Sequence, residues 1–494
     1  MHRKLPIFYS AVLLTAVNLL LRLVSTVFQI CISSRIGAEG VGLLQLILSV
    51  GMLAMTAGTA GIRTAAMYLT AEELGKKREY NIPWVLHSCF LYSILCSGTI
   101  AILLYGYAEP IAVRWIGTSL ASGAIRLLAF ALPVNCLCGV MSGYFTAAGR
   151  IGTLAAVEAS EQIFSITATL VLLFGWAGDS VERACQAVVL GGLLSACTSL
   201  ILLSILKYME HPIIGSRISL KSRIRDTAVP LALADDLKSG ISTAENLMVP
   251  KRMGLCPKIH NPLAVFGIIS GMVFPVLMFP ASILFGLADL LIPELSRCNA
   301  AGSRKRIEYL AMRSLRMALI YGAFSGGILY LTGPQLCVAL YKNSGAGKYL
   351  SCFALLAPML YCDAITDAMT KGLGQQKACV RYNILTSSMD VLFLYLLLPH
   401  YGILGYFISF FVTHLLNFSL SLRRLLKITG KVLKIRIIGK ILFSMGLSLL
   451  IVSVVSGVSA RCMSYCIIFT CLLTLLQVVS MEDYLWVKNL IHKK

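Results

Sequence analysis

Fourteen apolar runs, most of them about twenty residues long, follow one another along this chain. A run of about 20 residues is what an α-helix needs to cross the bilayer hydrocarbon. Within that layer only helices and closed barrels satisfy their own backbone hydrogen bonds. The runs lie at approximately 6–34, 41–70, 83–107, 120–147, 153–174, 184–207, 227–250, 263–291, 310–331, 350–370, 378–398, 402–422, 438–458 and 462–479. Only 13% of the 494 residues are charged, against about 25% in soluble domains. A chain so poor in charge cannot wet the surface of a globule. The expected fold is an all-α polytopic membrane protein of about 14 transmembrane helices, and soluble enzymes are excluded. The first run is too long for a cleaved signal sequence and has no small-residue cleavage site, so it is expected to remain as an anchor.

The 43 Lys and Arg outnumber the 22 Asp and Glu. They cluster in alternate loops, as topology determinants and contacts for anionic membrane lipids do, rather than as a nucleic-acid surface. One side receives Arg3 and Lys4, residues 76–78, Arg150, residues 217–225, residues 304–306, Lys371 and Lys377, residues 423–440, and Lys493 and Lys494. The positive-inside rule therefore puts both termini in the cytoplasm. Lys251, Arg252 and Lys258 go against the trend. Trp84, Trp115, Trp176 and Trp486 fall at run ends, as an interfacial aromatic belt requires. The 16 cysteines lie mostly within apolar runs without metal-site spacing and read as small buried hydrophobes; no metal site is expected.

The longest connections, 210–225 and 423–437, are basic and amphipathic and are expected to lie along the membrane surface. The first follows six runs and marks a seam. Around Gly143–Arg150 and again around Lys371–Lys377, a Gly-containing basic turn precedes a helix with an acidic residue, Glu161 in one and Asp390 in the other. The fourth and fifth runs thus resemble the tenth and eleventh. Two parallel six-helix halves with a site between them are a transporter design. The expected division is an N-lobe over 1–209, a linker over 210–226, a C-lobe over 227–424, and a basic linker with two further helices over 425–494.

Polar residues within the runs carry the functional signal. The first run holds Thr15, Asn18, Arg22, Ser25, Gln29 and Ser33 at spacings of three and four, hence on one helix face. The second holds Gln45, Ser49, Thr56, Thr59 and Arg63; the seventh holds Asp235, Lys238, Ser242 and Glu245 on one face, with Asp236 beside it. A charged residue at a helix centre costs about 2.5–3.5 kcal/mol on insertion scales. An isolated pair such as Asp235 with Lys238 can serve as internal glue. Stripes that run the whole span on three segments favour a hydrophilic cavity. Asp363 and Asp367, one turn apart, admit either reading, and the lone His414 reads as a packing residue. Pro133, Pro275, Pro280 and Pro358, with the small-residue pairs Gly139/Gly143, Gly267/Gly271 and Gly322/Gly326, mark kinks and close helix contacts.

RLVSTVFQICISSRIGAEGVGLLQ (22–45), GYFTAAGRIGTLAAVEASEQIF (143–164), AVPLALADDLKSGISTAENLMVPKRM (228–253) and FGIISGMVFPVLMFPASILFGLADLLIPELS (266–296) resemble the sporulation-type members of the polysaccharide-export and lipid II flippase branch of the multidrug/oligosaccharidyl-lipid/polysaccharide (MOP) superfamily. The resemblance implies two six-helix lobes around a central cavity, two appended helices and alternating access. It also implies a polyprenyl-diphosphate-linked sugar as cargo, a bacterial cytoplasmic membrane as location and the cell-wall synthesis machinery as partner. Arg22, Arg63 and Lys238 would supply cations for the diphosphate. Asn18, Ser25, Gln29 and Ser242 would meet sugar hydroxyls, and Arg252 would attract the head group near the exit. No cofactor is implied beyond coupling to Na+ or H+, with Asp235, Glu245 or Asp390 as the available ligands. The chain departs from the family pattern at Gln29, where a second basic residue is common, at Arg63, where a proline is common, and at Tyr68 in place of a lysine.

Three other readings compete. A drug or organic-cation antiporter of the same superfamily would favour an acidic or aromatic cavity. A polytopic glycosyltransferase or polymerase would need acidic catalytic motifs in sizeable outer loops, which are short here. An assembly scaffold would not need polar stripes. No GxxxxGK[ST] loop is present, so ATP does not drive this chain directly. A reporter that is active only in the cytoplasm is expected to be active when fused at either terminus and inactive when placed at Lys258; the opposite pattern would reverse the topology.

Overall fold

The computed structural model describes residues 7–208, 221–430 and 435–479; for 7–19, 22, 151, 221–231, 234 and 435 it describes the backbone alone. Asn18 and Arg22, as side chains, thus lie outside the described residues, as do most of the 210–226 linker, Trp486, Lys493 and Lys494.

The described residues form helices and turns. We label the main helices α1 (Ile7–Thr59), α2 (Ile62–Gly75), α3 (Ile82–Gly106), α4 (Ser122–Ala147), α5 (Ile151–Gly175), α6 (Val181–Tyr208), α7 (Lys221–Met253), α8 (Ala281–Ala300), α9 (Arg304–Tyr341), α10 (Ala357–Gly372), α11 (Gln376–Tyr401), α12 (Ile403–Thr429), α13 (Ile435–Val452) and α14 (Val458–Leu475). Among the described residues, nine helices are long and apolar enough to cross a membrane, or eleven if each of two bent pairs is one span. The expected fourteen are not reached on that criterion. The first two runs count as one element broken at Gly37. α7 and α13 are helical without passing the test, α7 being loaded with charge. The basic stretch Arg423–Lys427, expected in a surface linker, instead forms the last turns of α12, where cations complement the helix dipole.

Chain contacts group into two compact units. One comprises Met1–Ile30, Ile268–Asp390 and Ile403–Lys494. At its heart the chain preceding α8 is broken. A π-helical turn at Ile268–Val273 leads to Phe274–Met278, and α8 then departs at 63°. Pro275 and Pro280 have no N–H to donate, which leaves carbonyls one turn earlier without their helical partners. Buried and half-buried side chains donate to four carbonyls of this segment. Gln29 Nε2 donates to Gly271 O (3.3 Å), Tyr341 Oη to Met272 O (3.2 Å), Tyr361 Oη to Leu277 O (2.7 Å) and Tyr321 Oη to Pro280 O (3.0 Å). The expected tenth span is likewise two pieces, Ser344–Ala354 and α10, bent by 59° with Pro358 in the first turn of the second. Asn343 caps the first piece by accepting from Ala346 N (3.1 Å). Gly322 and Gly326 of α9 admit α10 closely: a methyl on Gly322 would sit 2.7 Å from Pro358 Cα.

The other unit comprises Cys31–Gly267 and Val391–Gly402. A core of Ile62, Ala65, Ala66, Leu69, Val85, Leu86, Val140 and Phe145 joins α2, α3 and α4. Gly143 lies against the backbone of Arg63 and Met67, too close for any side chain. Between α1 and α2 the helix breaks at Ala60 and Gly61, both left-handed (φ 43° and 70°). Neither residue is a proline, so the glycine was the only mark of this break in the sequence. Conversely, Pro133 lies inside an unbroken α4.

Tyr361 is 1% exposed. Tyr361→Phe leaves the Leu277 carbonyl without that donor and is expected to destabilise the protein by about 1–3 kcal/mol. This would register as a lower unfolding temperature in detergent, whereas Tyr330→Phe, at a 40% exposed position, should leave it unchanged.

Candidate functional site

The polar stripes of α1 and α7 meet inside the second unit. They enclose a cavity of about 430 Å³ lined by Gln45, Ser49 and Thr56 of α1 and by Asp235, Lys238, Ser239, Ser242, Thr243 and Asn246 of α7, with Leu48 and Met52 as its apolar floor. Hydroxyls sit cheaply in these spans because each can return its hydrogen to the preceding turn. Ser49 Oγ donates to Gln45 O (2.8 Å) and Thr56 Oγ1 to Leu53 O (2.9 Å). Two bonds cross from α7 to α1: Thr243 Oγ1 donates to Ser49 O (3.0 Å) and Asn246 Nδ2 to Ser49 Oγ (3.0 Å).

Asp235, Lys238 and Ser242 are thus brought together in one cavity, with three residues of the second-run stripe. Asp235 and Lys238 do not form the internal ion pair that their spacing allows, and Lys238 has no ion-pair partner among the described residues. Ser239 Oγ and Asp236 Oδ1, beside the cavity, are buried without a hydrogen-bond partner. Ser239, Thr243 and Asn246 were not singled out from the sequence, although Asn246 continues the i, i+4 series from Lys238 through Ser242.

The remaining candidates are placed elsewhere. Arg63 Nη2 lies 3.7 Å from Glu158 Oε1, with both side chains more than half exposed. Arg252 lays its guanidinium over the Tyr395 ring, 3.3 Å from the centroid, while Lys251 Nζ donates to Arg114 O (2.5 Å). Two of the three cations that break the positive-inside trend are therefore engaged by the fold. Glu245 is half-buried on α7 and does not line the cavity. Ser25 and Gln29 belong to the first unit; Ser25 Oγ donates to Leu21 O (3.0 Å), and Gln29 is the donor to Gly271 O.

Asp390 also belongs to the first unit and is 8% exposed. Its Oδ1 accepts from Ser409 Oγ (2.5 Å) and Thr413 Oγ1 (3.2 Å). Nearby, Asn417 Nδ2 donates to both oxygens of Asp363 (3.1 Å each) and its Oδ1 accepts from Thr386 Oγ1 (3.5 Å). Asp367 pairs instead with Lys371 (2.6 Å). The His414 ring packs on Phe410 with centroids 4.2 Å apart. Asp363 and Asp390 are therefore two carboxylates held by neutral donors inside one helix group, with no ion-pair partner among the described residues.

Comparison with known proteins gives this geometry a family setting. Residues 8–228 match the polysaccharide biosynthesis protein family. The chain is 21% identical over 414 residues to stage V sporulation protein B of Bacillus subtilis (strain 168), covering 80% of this chain and 79% of that protein. It superposes on the lipid II flippase MurJ, in an inward closed conformation, with a TM-score of 0.69 at 13% identity, covering 94% of this chain and 98% of that one. It also superposes on an inward-facing multidrug resistance MATE family transporter of the MOP superfamily, with a TM-score of 0.67 at 15% identity, covering 85% of this chain and all of that one. The chain has the MOP-superfamily transporter fold. Of the elements that carry the polar cavity lining and the buried carboxylates, α1 and α11 are long and apolar enough to cross a membrane, and α10 is so together with the piece before it. Polar groups within such spans mark substrate and ion pathways.

The Arg63–Glu158 pair is exposed and worth about 0–1 kcal/mol, so Arg63→Gln is expected to leave thermal stability unchanged. Asn417→Leu removes both donors to the Asp363 carboxylate and is expected to lower stability by about 1–3 kcal/mol. Unfolding temperatures of the two variants in detergent test the contrast.

Proposed function

We propose that this protein is a flippase that carries a polyprenyl-diphosphate-linked sugar across the cytoplasmic membrane of a bacterium by alternating access, with both termini in the cytoplasm. The cargo is a lipid II-type peptidoglycan precursor or a polysaccharide repeat unit, in service of cell-wall or spore-cortex synthesis. One observation carries the reading: Lys238, without an ion-pair partner among the described residues, lines a cavity whose other polar groups are hydroxyls, amides and one carboxylate, beside the apolar Leu48 and Met52. A fixed ammonium suits a phosphate oxygen. The match to the polysaccharide biosynthesis family and the likeness to a lipid II flippase support the same cargo class. Among the described residues the cavity has no aromatic lining, and with a lysine in it an organic cation is poorly served.

Transport is coupled to Na+ or H+. Asp390 is the ligand best placed for it, since a buried carboxylate held only by neutral donors calls for a cation or a proton. Asp235 sits in the cargo cavity and serves the head group instead.

Purified protein is expected to bind a short-chain polyprenyl-diphosphate sugar lipid. Lys238→Ala should weaken that binding about ten- to hundredfold, the equivalent of one charge-assisted hydrogen bond. Absence of binding by the wild type, with clear affinity for drug cations, would move the protein to the antiporter class. In proteoliposomes, Asp390→Asn should keep binding while abolishing the response of transport to an imposed ion gradient; an unchanged response would remove Asp390 from the coupling step.

A further inference from the structure

The hydrogen-bond directions within the α1–α7 cavity divide it into two ends with different preferences. Ser49 Oγ spends its hydrogen on Gln45 O, so toward Asn246 it can only accept. That fixes the Asn246 amide with its nitrogen toward Ser49 and its Oδ1 turned away as an acceptor. Thr243 Oγ1 spends its hydrogen on Ser49 O and is likewise left with lone pairs. The wall formed by Ser49, Thr243 and Asn246 is therefore rich in acceptors. Lys238 lies eight residues earlier on the same helix, which sets its Cα about 12 Å along the axis from that of Asn246.

A diphosphate presents only acceptors and finds at this wall, apart from the second N–H of the Asn246 amide, lone pairs that disfavour it, whereas a sugar ring presents hydroxyl donors on every side. The apolar side chains of Leu48 and Met52 complete the surface, offering contact to the ring's C–H groups. A cavity of about 430 Å³ falls in the size range of small-ligand sites. We propose that the Asn246 end of this cavity is a saccharide-reading subsite: Asn246 Oδ1, oriented by Ser49, and Thr243 Oγ1 accept hydrogen bonds from the hydroxyl or amide N–H groups of the cargo's sugar, while Lys238 holds the phosphate. The proposal rests on the flippase reading and adds to it which part of the cargo is selected, and where. Asn246 is a substrate-specificity residue in it, and Ser49 a positioning residue.

The test compares two lipids on the full-length protein in detergent: a short-chain polyprenyl diphosphate with no sugar, and the same lipid carrying one N-acetylglucosamine. For the wild type, the sugar-bearing lipid should bind about tenfold more tightly, as one or two net hydrogen bonds provide. Asn246→Leu, close in shape, should erase that preference and leave affinity for the sugarless lipid unchanged. Ser49→Ala, which frees the amide to turn, should reduce the preference partially; because it removes a single oxygen, it keeps the test open if Asn246→Leu fails to fold. Lys238→Ala should weaken both lipids alike. Equal loss for both lipids in Asn246→Leu, or a preference that survives both Asn246→Leu and Ser49→Ala, would overturn the subsite while the flippase reading stands. Failure of the wild type to bind either lipid would overturn the flippase reading, and the subsite with it.

Discussion

A peptide carbonyl without a donor inside a bilayer has no water to turn to, and its burial carries a penalty of several kcal/mol. Much of this structure follows from how that demand is met wherever a helix is interrupted. The segment before α8 gives up helical bonds at a π turn and two prolines; Gln29 takes the Gly271 carbonyl that Pro275 releases, Phe279 N takes that of Val276, and three tyrosine hydroxyls add donors at Met272 O, Leu277 O and Pro280 O. Each side-chain donor also fixes a helix against its neighbour, so the repair of the backbone and the packing of the unit are one set of contacts. Gln29 is an example: its amide carries both a donor and an acceptor, and a lysine or arginine at that position would bring a charge to the same carbonyl.

The same economy shapes the polar cavity. Ser49, Thr56 and Thr59 satisfy themselves on their own helix, and so they add polarity without demanding a partner. Charged groups have no such resort. Asp367 finds Lys371, and Arg252 finds the face of Tyr395. Lys238 and Asp390 do not find an opposite charge among the described residues, and in the proposed function these are the positions left for the head group and the coupling ion.

The helical character and the polar stripes were legible because both are periodic. A stripe of polar residues at spacings of three and four is visible in the string of letters, and the central portions of two such stripes do line one cavity. What the spacing could not convey is which stripe faces which. Gln29 and Ser25 share a face with Ser33 on the first run, yet their hydrogens go to carbonyls, one on a broken helix and one on their own. Prolines were ambiguous as well. Pro133 leaves α4 unbroken whereas Pro275 and Pro280 lie in a broken segment. The break at Ala60 and Gly61 carried only the glycine as a mark, since a left-handed alanine is set by its surroundings. Asn246 was missed because attention to charge favoured Glu245 beside it; strict helical spacing from Lys238 and Ser242 would have found it.

The charge content of α7 has a further consequence for how the chain is made. With Asp235, Asp236, Lys238 and Glu245 in its span, this helix partitions poorly into lipid as a solitary segment. Its stable place exists only beside a surface already bearing Ser49 and the other polar groups of α1, which is synthesised earlier. Membrane insertion of this protein is therefore ordered: α7 must leave the insertion machinery against a partner that is already there. A substitution that strips polarity from α1 would first be felt as a defect in biogenesis, in a protein whose transport chemistry was otherwise intact.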